Sequence, residues 1–195
     1  QVSGVGYDPS GQFSIDSRVI DPAKDNGVLI ETLRAGLLCN NATLDRDEGR
    51  YKVVGDPTEG ALVVAAFKAG LTDRPARLDE TPFDSDKKYM AVLIGDHVGN
   101  IVYVKGSPEV ILSMCRDQMT VHGPAPLDVS PIMSKIDEMA GDGLRVIGMA
   151  MKILPDKKLL LEGSDTEELV FLGLEGMIDP PREEAIEAIG KCKRA

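Results

Sequence analysis

The sequence predicts an α+β fold, in which an antiparallel β-sheet is flanked by helices. Two apolar runs, 88–94 and 101–104, are separated by turn-forming residues at 95–100, a pattern typical of paired strands. A third apolar run, 144–152, has the composition of a central strand. A helix start signal precedes 57–69, so strands and helices are both expected within the chain.

The first part of the chain predicts a hairpin followed by a helix. The turn-forming residues 8–11 separate two short extended runs, and 17–22 is expected to be a loop. A helix is predicted over 27–39, with Asp25 or Asn26 as its cap. One face of this helix carries a leucine at every fourth position: Leu29, Leu33 and Leu37.

A second hairpin and a well-marked helix come next. The hairpin has its tip at 45–49 and its return strand at 51–54. Asp56 precedes a proline in the first turn of the 57–69 helix, and Glu59 stands three residues after Asp56. This spacing predicts a capping box, in which Glu59 needs no ligand.

The remaining segments alternate between strands, loops and helices. A strand is predicted near 77–83 and a short helix over 108–115. The proline-containing segment 116–130 is expected to be a loop, followed by a helix over 131–141. The last strand is predicted over 168–174.

Two domains are predicted, with a boundary near the C-terminus. Residues 1–178 form the first domain, and 179–195 form a hinge with the first helix of a following domain. The Asp-Pro-Pro sequence at Asp179 is a stiff connector. The helix predicted over 182–194 is amphipathic and has no obvious partner among the earlier elements.

Composition excludes several classes of function. The formal net charge of −10 argues against a nucleic-acid surface and against docking on anionic membranes. No apolar run approaches the roughly 20 residues of a membrane span, and no secretory signal pattern is seen. The three isolated cysteines predict free thiols in a reducing cytoplasm.

No standard catalytic or metal-binding motif occurs in the sequence. The phosphate-binding patterns GxxxxGK[ST] and GxGxxG are absent. The acidic clusters at 45–48 and 84–86 lack metal-ligand spacing, and no nucleophile–base set stands out. We therefore expect no catalytic residues and no metal ligands here, whereas ligand binding remains possible.

An aromatic ring and two lysines are predicted at the ends of paired strands. Phe83, Lys88 and Lys105 would suit a ligand with a flat base and an anionic tail. Each has an ordinary alternative, because Phe83 could be a core ring and Lys88 a solvated edge residue. Lys105 precedes a helix start that favours anions, although the same residues could be only a turn and a cap.

Five motifs in order carry a resemblance to a known family. They are GDPTEGAL at 55–62, FDSDKKYMAV at 83–92, KGSPE at 105–109, GDGLRVIGMA at 141–150 and GMIDPPREEA at 176–185. From about Cys39 to the C-terminus, the chain resembles the nucleotide-binding domain of P-type cation-transporting ATPases, nearest the calcium-pump-like group.

The resemblance implies roles for residues of an ATP site. The ring of Phe83 would stack on adenine, and Glu59 would accept a hydrogen bond from the adenine amino group. Lys105 would lie deep in the pocket beside the base, where Gly106 permits close backbone approach. Lys105 is expected to lie outside the core, so that Lys105→Glu removes binding and preserves the fold.

The resemblance also implies contacts to phosphate and a hinge. Lys88 would line the nucleotide pocket, Arg145 would reach toward the phosphates, and Asp179 matches the hinge position. Ser85 stands where relatives of the calcium-pump type often carry an arginine, so one phosphate contact is missing from the pattern.

The function implied is that of a cytoplasmic domain of an integral membrane pump. The domain would hold ATP for transfer of its γ-phosphoryl group to an aspartate in a separate phosphorylation domain. The family motif DKTGTLT is absent from this chain, so the isolated domain is predicted to be inactive in hydrolysis.

Other expectations follow from the same resemblance. Magnesium is expected only in the complete pump. The phosphorylation and actuator domains of that pump are the expected partners, with no nucleic acid and no direct membrane contact. An acidic protein-interaction module and a free-standing phosphohydrolase or kinase remain as alternatives.

Overall fold

The main sheet consists of seven strands among the residues that the computed structural model describes, which are 1–47, 49–95, 99–154, 158–178 and 191–193. The strands are β5 (Arg77–Asp84), β6 (Tyr89–Gly95), β7 (Asn100–Gly106), β8 (Cys115–Thr120), β9 (Gly123–Pro126), β10 (Arg145–Leu154) and β11 (Leu169–Met177). Their order across the sheet is β5-β6-β7-β10-β11-β8-β9. All neighbours are antiparallel except β11 and β8, which are parallel.

Two short hairpins precede the main sheet along the chain. They pair β1 (Phe13–Ile15) with β2 (Arg18–Ile20), and β3 (Thr43–Asp47) with β4 (Arg50–Val54). The second hairpin was predicted, whereas the hairpin predicted around 8–11 is reduced to a single antiparallel bridge between Val2 and Phe13. The loop expected at 17–22 is wrong, because 18–20 pairs as a strand and the tight turn lies at Asp16 and Ser17, both with positive φ.

Five α-helices accompany the strands in the described part of the chain. They are α1 (Pro22–Asp25), α2 (Gly27–Leu38), α3 (Pro57–Lys68), α4 (Pro108–Met114) and α5 (Val129–Gly141). Asn26 caps α2 through a hydrogen bond that its side chain accepts from Leu29 N, as the sequence predicts. A short 3₁₀ helix, Gly163–Thr166, precedes β11.

Helices cover both faces of the sheet, and a separate apolar core fills each side. Alternate residues of β6 divide between the two cores, with Met90 and Val92 on one side and Ala91 and Leu93 on the other. The first core includes α2 and α3 through Leu37 and Leu62, among others, and the second includes α4 and α5. An α+β fold with a largely antiparallel sheet flanked by helices is therefore confirmed.

A second predicted loop is also a different kind of structure. The residues 116–130, expected to be a loop, form most of the β8–β9 hairpin and the start of α5. Pro124 and Pro126 lie on β9, which is the edge of the sheet, where a strand needs no backbone donors on its outer side.

Several predictions fall on residues outside the described part of the chain. They concern 96–98 within the turn at 95–100, the hinge at Asp179 and most of the helix expected over 182–194. None of the helices in the described segments combines the length and the apolar character that a membrane span needs.

Candidate functional site

One end of the main sheet gathers most of the predicted site residues. Strands β5 and β7 end there, and β6 and β10 begin there, because these neighbours are antiparallel. Gly106 pairs with Tyr89 on one side and with Gly148 on the other. Phe83, Lys88 and Arg145 therefore lie at the same end of the sheet as Gly106.

Lys105 and Glu59 form a partly enclosed ion pair at this end. The Lys105 Nζ atom lies 2.6 Å from Glu59 Oε1, which joins β7 to the first turn of α3. Lys105 is only 5% exposed, so the expectation that it lies outside the core is wrong. Strand pairing places it between Met90 and Met149, both fully buried.

Glu59 is held by this contact rather than by a capping box. Asp56 caps α3 as predicted, because its Oδ1 accepts hydrogen bonds from Thr58 N and Glu59 N at 2.8 and 3.1 Å. The second carboxylate oxygen of Glu59 instead accepts a hydrogen bond from Asn41 N at 3.1 Å. The capping box predicted for Glu59 is therefore only half formed.

Asn40 fixes the end of α2 against the start of α3. Its Nδ2 donates hydrogen bonds to Gly36 O and Glu59 O, both at 2.9 Å. Its Oδ1 accepts a hydrogen bond from Ala42 N at 2.8 Å, and the residue is almost completely buried. Asn40, which follows the helix predicted over 27–39, thus supports the Glu59 backbone, a role that the sequence analysis did not consider.

A second polar anchor lies beside Asn40. The Arg77 guanidinium donates hydrogen bonds to Leu38 O and Asn40 O at 3.2 and 2.6 Å, and it also pairs with Glu80. These bonds satisfy carbonyl groups at the C-terminal end of α2. Sequence reasoning missed Arg77, because its partners are distant along the chain.

The backbone approaches closely where β7 meets the turn before β6. A Cβ atom on Gly106 would collide with Lys88 O and would lie 2.9 Å from Tyr89 Cα. Ser107 N donates a hydrogen bond to the same Lys88 oxygen at 3.0 Å. Only glycine fits at this position, because the backbone of Lys88 and Tyr89 occupies the space that a side chain would need.

Lys88 is part of a turn, although the sequence predicts it as a strand residue. Its φ of 60° lies in the left-handed region, and β6 begins one residue later. Residues other than glycine rarely adopt this backbone conformation, and they do so where the surrounding structure enforces it. The Lys88 side chain is exposed and has no ion-pair partner among the residues that the structure describes.

Phe83 and Arg145 are both available to solvent. The Phe83 ring is 60% exposed near the end of β5, which excludes the alternative that it is a core ring. Arg145 begins β10, where its exposed side chain likewise has no ion-pair partner in the described segments. The site end of the sheet thus presents an exposed ring and two exposed cations.

Glu175 introduces a carboxyl group that the sequence analysis did not consider. Glu175 lies on β11, where it pairs with Ile147 of β10, and its Oε1 is buried without a hydrogen-bond partner. Burial raises the pKa of the Glu175 carboxyl group to about 8, and the nearby Lys105 ammonium opposes this rise. The available signal was a single charge inside the apolar run FLGLEGM.

The cysteines do not supply a reactive group at the site. Cys39, which follows α2, donates a weak hydrogen bond from its thiol to Met90 O at 3.3 Å. Burial raises the pKa of the Cys39 thiol to about 12, so the sulfur stays protonated at neutral pH. All three cysteines are free, as the sequence predicts.

Comparison with known proteins is consistent with this architecture. Residues 28–184 match the family described as the P-type ATPase cytoplasmic domain N. The match covers more than half of the chain and includes the five motifs noted above, except for the last residue of the fifth. The chain belongs to this family. Membership of the N domain family accounts for the order of the motifs along the chain.

Individual relatives of the N domain are whole transporters. A cation-transporting ATPase, pma1, from Synechocystis is 41% identical over 100% of this chain and 23% of the relative. A calcium-transporting ATPase from Bacillus subtilis is 31% identical over 100% of the chain and 23% of its own length. The mouse calcium-transporting ATPase type 2C member 2 is 34% identical over 97% and 20% respectively. The chain therefore spans less than a quarter of these relatives.

Proposed function

We propose that this N domain binds ATP and holds it for transfer of the γ-phosphoryl group to an aspartate in a separate domain of a cation-transporting P-type ATPase. The observation that carries the proposal is the exposed Phe83 ring at the same sheet end as the enclosed Lys105–Glu59 pair. A flat ring can stack on a base, and a cation beside it favours an anionic ligand.

The remaining residues divide between base and phosphate. Glu59 offers carboxylate oxygens to the amino group of adenine. Gly106 is proposed to belong to the base pocket through its backbone, which packs directly against Lys88 O and Tyr89 Cα. Lys88 and Arg145, both exposed and without ion-pair partners in the described segments, are suited to the phosphates. Recognition is therefore concentrated on the base, with fewer contacts to the third phosphate.

The chain is proposed to act only as the ATP-holding part of a pump. Among the described residues, no group of three His, Cys, Asp or Glu side chains is arranged to hold a metal ion. Magnesium would be supplied with ATP in the complete pump, where the phosphorylation and actuator domains are the proposed partners. Cation transport, including the calcium transport named for two relatives, would belong to the whole protein.

A titration followed by NMR tests the proposal directly. We expect ATP to bind with a Kd in the high micromolar to millimolar range, roughly −4 to −6 kcal/mol. Signals of Phe83, Lys88 and Lys105 should shift at ~10 mM ATP. Ile153, exposed on β10 toward the opposite end of the sheet, should not shift and serves as the internal control. Absence of shifts at all three site residues would refute the proposed pocket.

A further inference from the structure

Glu175 is an unusual group to find beside an ion pair that is already complete. The Lys105 ammonium is bound by Glu59, yet a second carboxyl group on β11 lies close enough for Lys105 to affect its pKa. The Glu175 Oε1 atom is buried and has no hydrogen-bond partner. A buried carboxylate in this state is costly, whereas the neutral acid is much less so.

The Glu175 side chain lies on the α2–α3 side of the sheet, next to a glycine of α2. A Cβ atom on Gly36 of α2 would lie 2.6 Å from Glu175 Oε1 and 3.5 Å from both Met149 Cε and Leu62 Cβ. Helix α2 therefore approaches β11 closely only because residue 36 lacks a side chain. The buried Oε1 atom of the half-buried Glu175 side chain therefore lies against α2 at Gly36.

Strand register puts Glu175 in the same layer as Lys105. Lys105 pairs with Met149, and Met149 pairs in turn with Gly173 on β11. Glu175 is two residues beyond Gly173, so its side chain projects from the same face of the sheet. It lies one step closer than Gly173 to the end where Gly106 and the predicted site residues meet.

The other charged or titratable groups on this side do not replace Lys105 as its partner. On α2, the Cys39 thiol bonds Met90 O, and Glu31 accepts a hydrogen bond from Tyr103 at 3.2 Å. On β10, Arg145 projects from the same face as Ile147 but is exposed. On α3, Glu59 is the carboxylate that already holds Lys105.

The charge balance of the cluster depends on the proton of Glu175. When Glu175 is neutral, one ammonium faces one carboxylate, and the cluster has no net charge. When Glu175 ionises, the cluster contains two carboxylates and one ammonium, and it becomes negative. A negative cluster draws Lys105 away from the ligand and repels an anion.

We propose that Glu175 is a positioning residue for Lys105 and that nucleotide binding requires the Glu175 carboxyl group in its protonated form. This inference rests on the proposed function, because it concerns the same ATP site. In this inference the form of the site that binds ATP carries a proton on Glu175. ATP binding and protonation of Glu175 therefore favour each other.

Titration of ATP at two pH values tests the inference. With a pKa of about 8 for Glu175, the protonated fraction falls about ten-fold between about pH 7 and about pH 9. The apparent Kd for ATP should rise by the same factor of about ten. Glu175→Gln, which cannot ionise, should bind ATP at both pH values as the wild type does at the lower one.

A matched control and a fold check complete the experiment. Glu168→Gln removes an exposed carboxylate just before β11 and should keep the ten-fold loss of the wild type. Circular dichroism at both pH values establishes that each variant is folded. If Glu175→Gln is unfolded, the Glu175 carboxyl carbon of the wild type is titrated by NMR instead, and saturating ATP should move its midpoint to higher pH.

The experiment distinguishes failure of the proposed role of Glu175 from failure of the proposed function. Wild-type protein that binds ATP equally well at both pH values would overturn the role of Glu175 and leave the proposed function standing. A folded Glu175→Gln variant that still loses ATP affinity about ten-fold at the higher pH would also overturn the role of Glu175. The same conclusion would follow if ATP left the titration midpoint of the Glu175 carboxyl group unchanged or lowered it. Wild-type protein that fails to bind ATP at about pH 7 would instead overturn the proposed function itself.

Discussion

The Lys105 ammonium lies 2.6 Å from Glu59 Oε1, so a central strand and the first turn of a helix share one ion pair. The two residues are 46 positions apart in the sequence. The pair ties the sheet to α3 on the side where the nucleotide is proposed to bind. Its removal should therefore affect stability and binding together.

Replacement of Lys105 by methionine should destabilise the domain. The half-buried Glu59 carboxylate would lose its cation, a change that costs about 3–5 kcal/mol when such a pair is fully buried and less here. Adding Glu59→Gln to Lys105→Met should recover part of this loss, because the remaining partner is then uncharged. Urea unfolding of the wild type, both single variants and the double variant measures the coupling. If the changes in free energy of unfolding of the two single variants add up to that of the double variant, the ion pair contributes nothing to stability.

Lys105→Glu should be more damaging than Lys105→Met, contrary to the expectation that charge reversal preserves the fold. It would bring a third carboxyl group next to Glu59 and Glu175 in a buried layer. We expect its urea midpoint to fall below that of Lys105→Met. Equal midpoints for the two variants would mean that solvent reaches this layer.

Replacement of Phe83 by alanine should weaken ATP binding and leave stability nearly unchanged. The ring is 60% exposed, so its loss should change the free energy of unfolding by no more than about 0.5 kcal/mol. Loss of base stacking should cost about 1–3 kcal/mol of binding free energy. Ile153→Ala, at a site of similar exposure, is the control for ATP titration. Unchanged ATP affinity in Phe83→Ala would remove the ring from the site.

Competition among nucleotides should reveal recognition of the base. ADP should bind within a few-fold of ATP, and magnesium should not be required, because the proposed contacts are mostly to the base. GTP should bind more weakly, since its O6 acceptor would face Glu59 and an unpaired acceptor costs ~1–3 kcal/mol. Glu59→Gln, whose amide can donate to O6, should narrow the difference between ATP and GTP. A requirement for magnesium or a preference for GTP would place recognition on other residues.

The stability of the domain should fall as pH rises through the range set by Glu175. The folded-state pKa of Glu175 is raised from an ordinary value of 4.5 to about 8, so the folded protein holds a proton that the unfolded chain releases. The free energy of unfolding should therefore decrease between these two pH values, by at most about 1.4 kcal/mol per pH unit. Urea unfolding across this range should show the slope in the wild type and a smaller one in Glu175→Gln. An identical slope in both proteins would assign the pH dependence to other groups.

Replacement of Gly106 by alanine should displace the strand end at the site. The added methyl group would meet Lys88 O and Tyr89 Cα, so either the turn or the pairing of β6 with β7 must shift. We expect a loss of about 1–3 kcal/mol in stability, together with weaker ATP binding. Gly141→Ala, where nothing lies within 4 Å of the new atom, is the matched control and should be close to neutral. Wild-type behaviour of Gly106→Ala would show that this turn is free to move.

The sequence is most informative where a local signal determines the structure. Asp56 followed by proline marks the start of α3 correctly, because capping depends on neighbouring residues. Pro124 and Pro126 mislead, since proline is compatible with a strand once that strand lies at a sheet edge, and edge position is a tertiary property. The meeting of the site motifs could be expected from the family resemblance, whereas the Lys105–Glu59 contact and the Glu175 environment depend on packing between distant segments.

The sheet separates two apolar compartments, and the proposed site residues of the ion-pair cluster lie in only one of them. Lys105, Glu59 and Glu175 all belong to the α2–α3 side, whereas Ile136 and Phe171 belong to the compartment under α4 and α5. Substitutions more than about 7–10 Å apart without shared partners usually have additive effects. Substitutions in the second compartment can therefore change the free energy of unfolding of the domain while its affinity for ATP stays the same. Engineering for thermal tolerance should begin on that side.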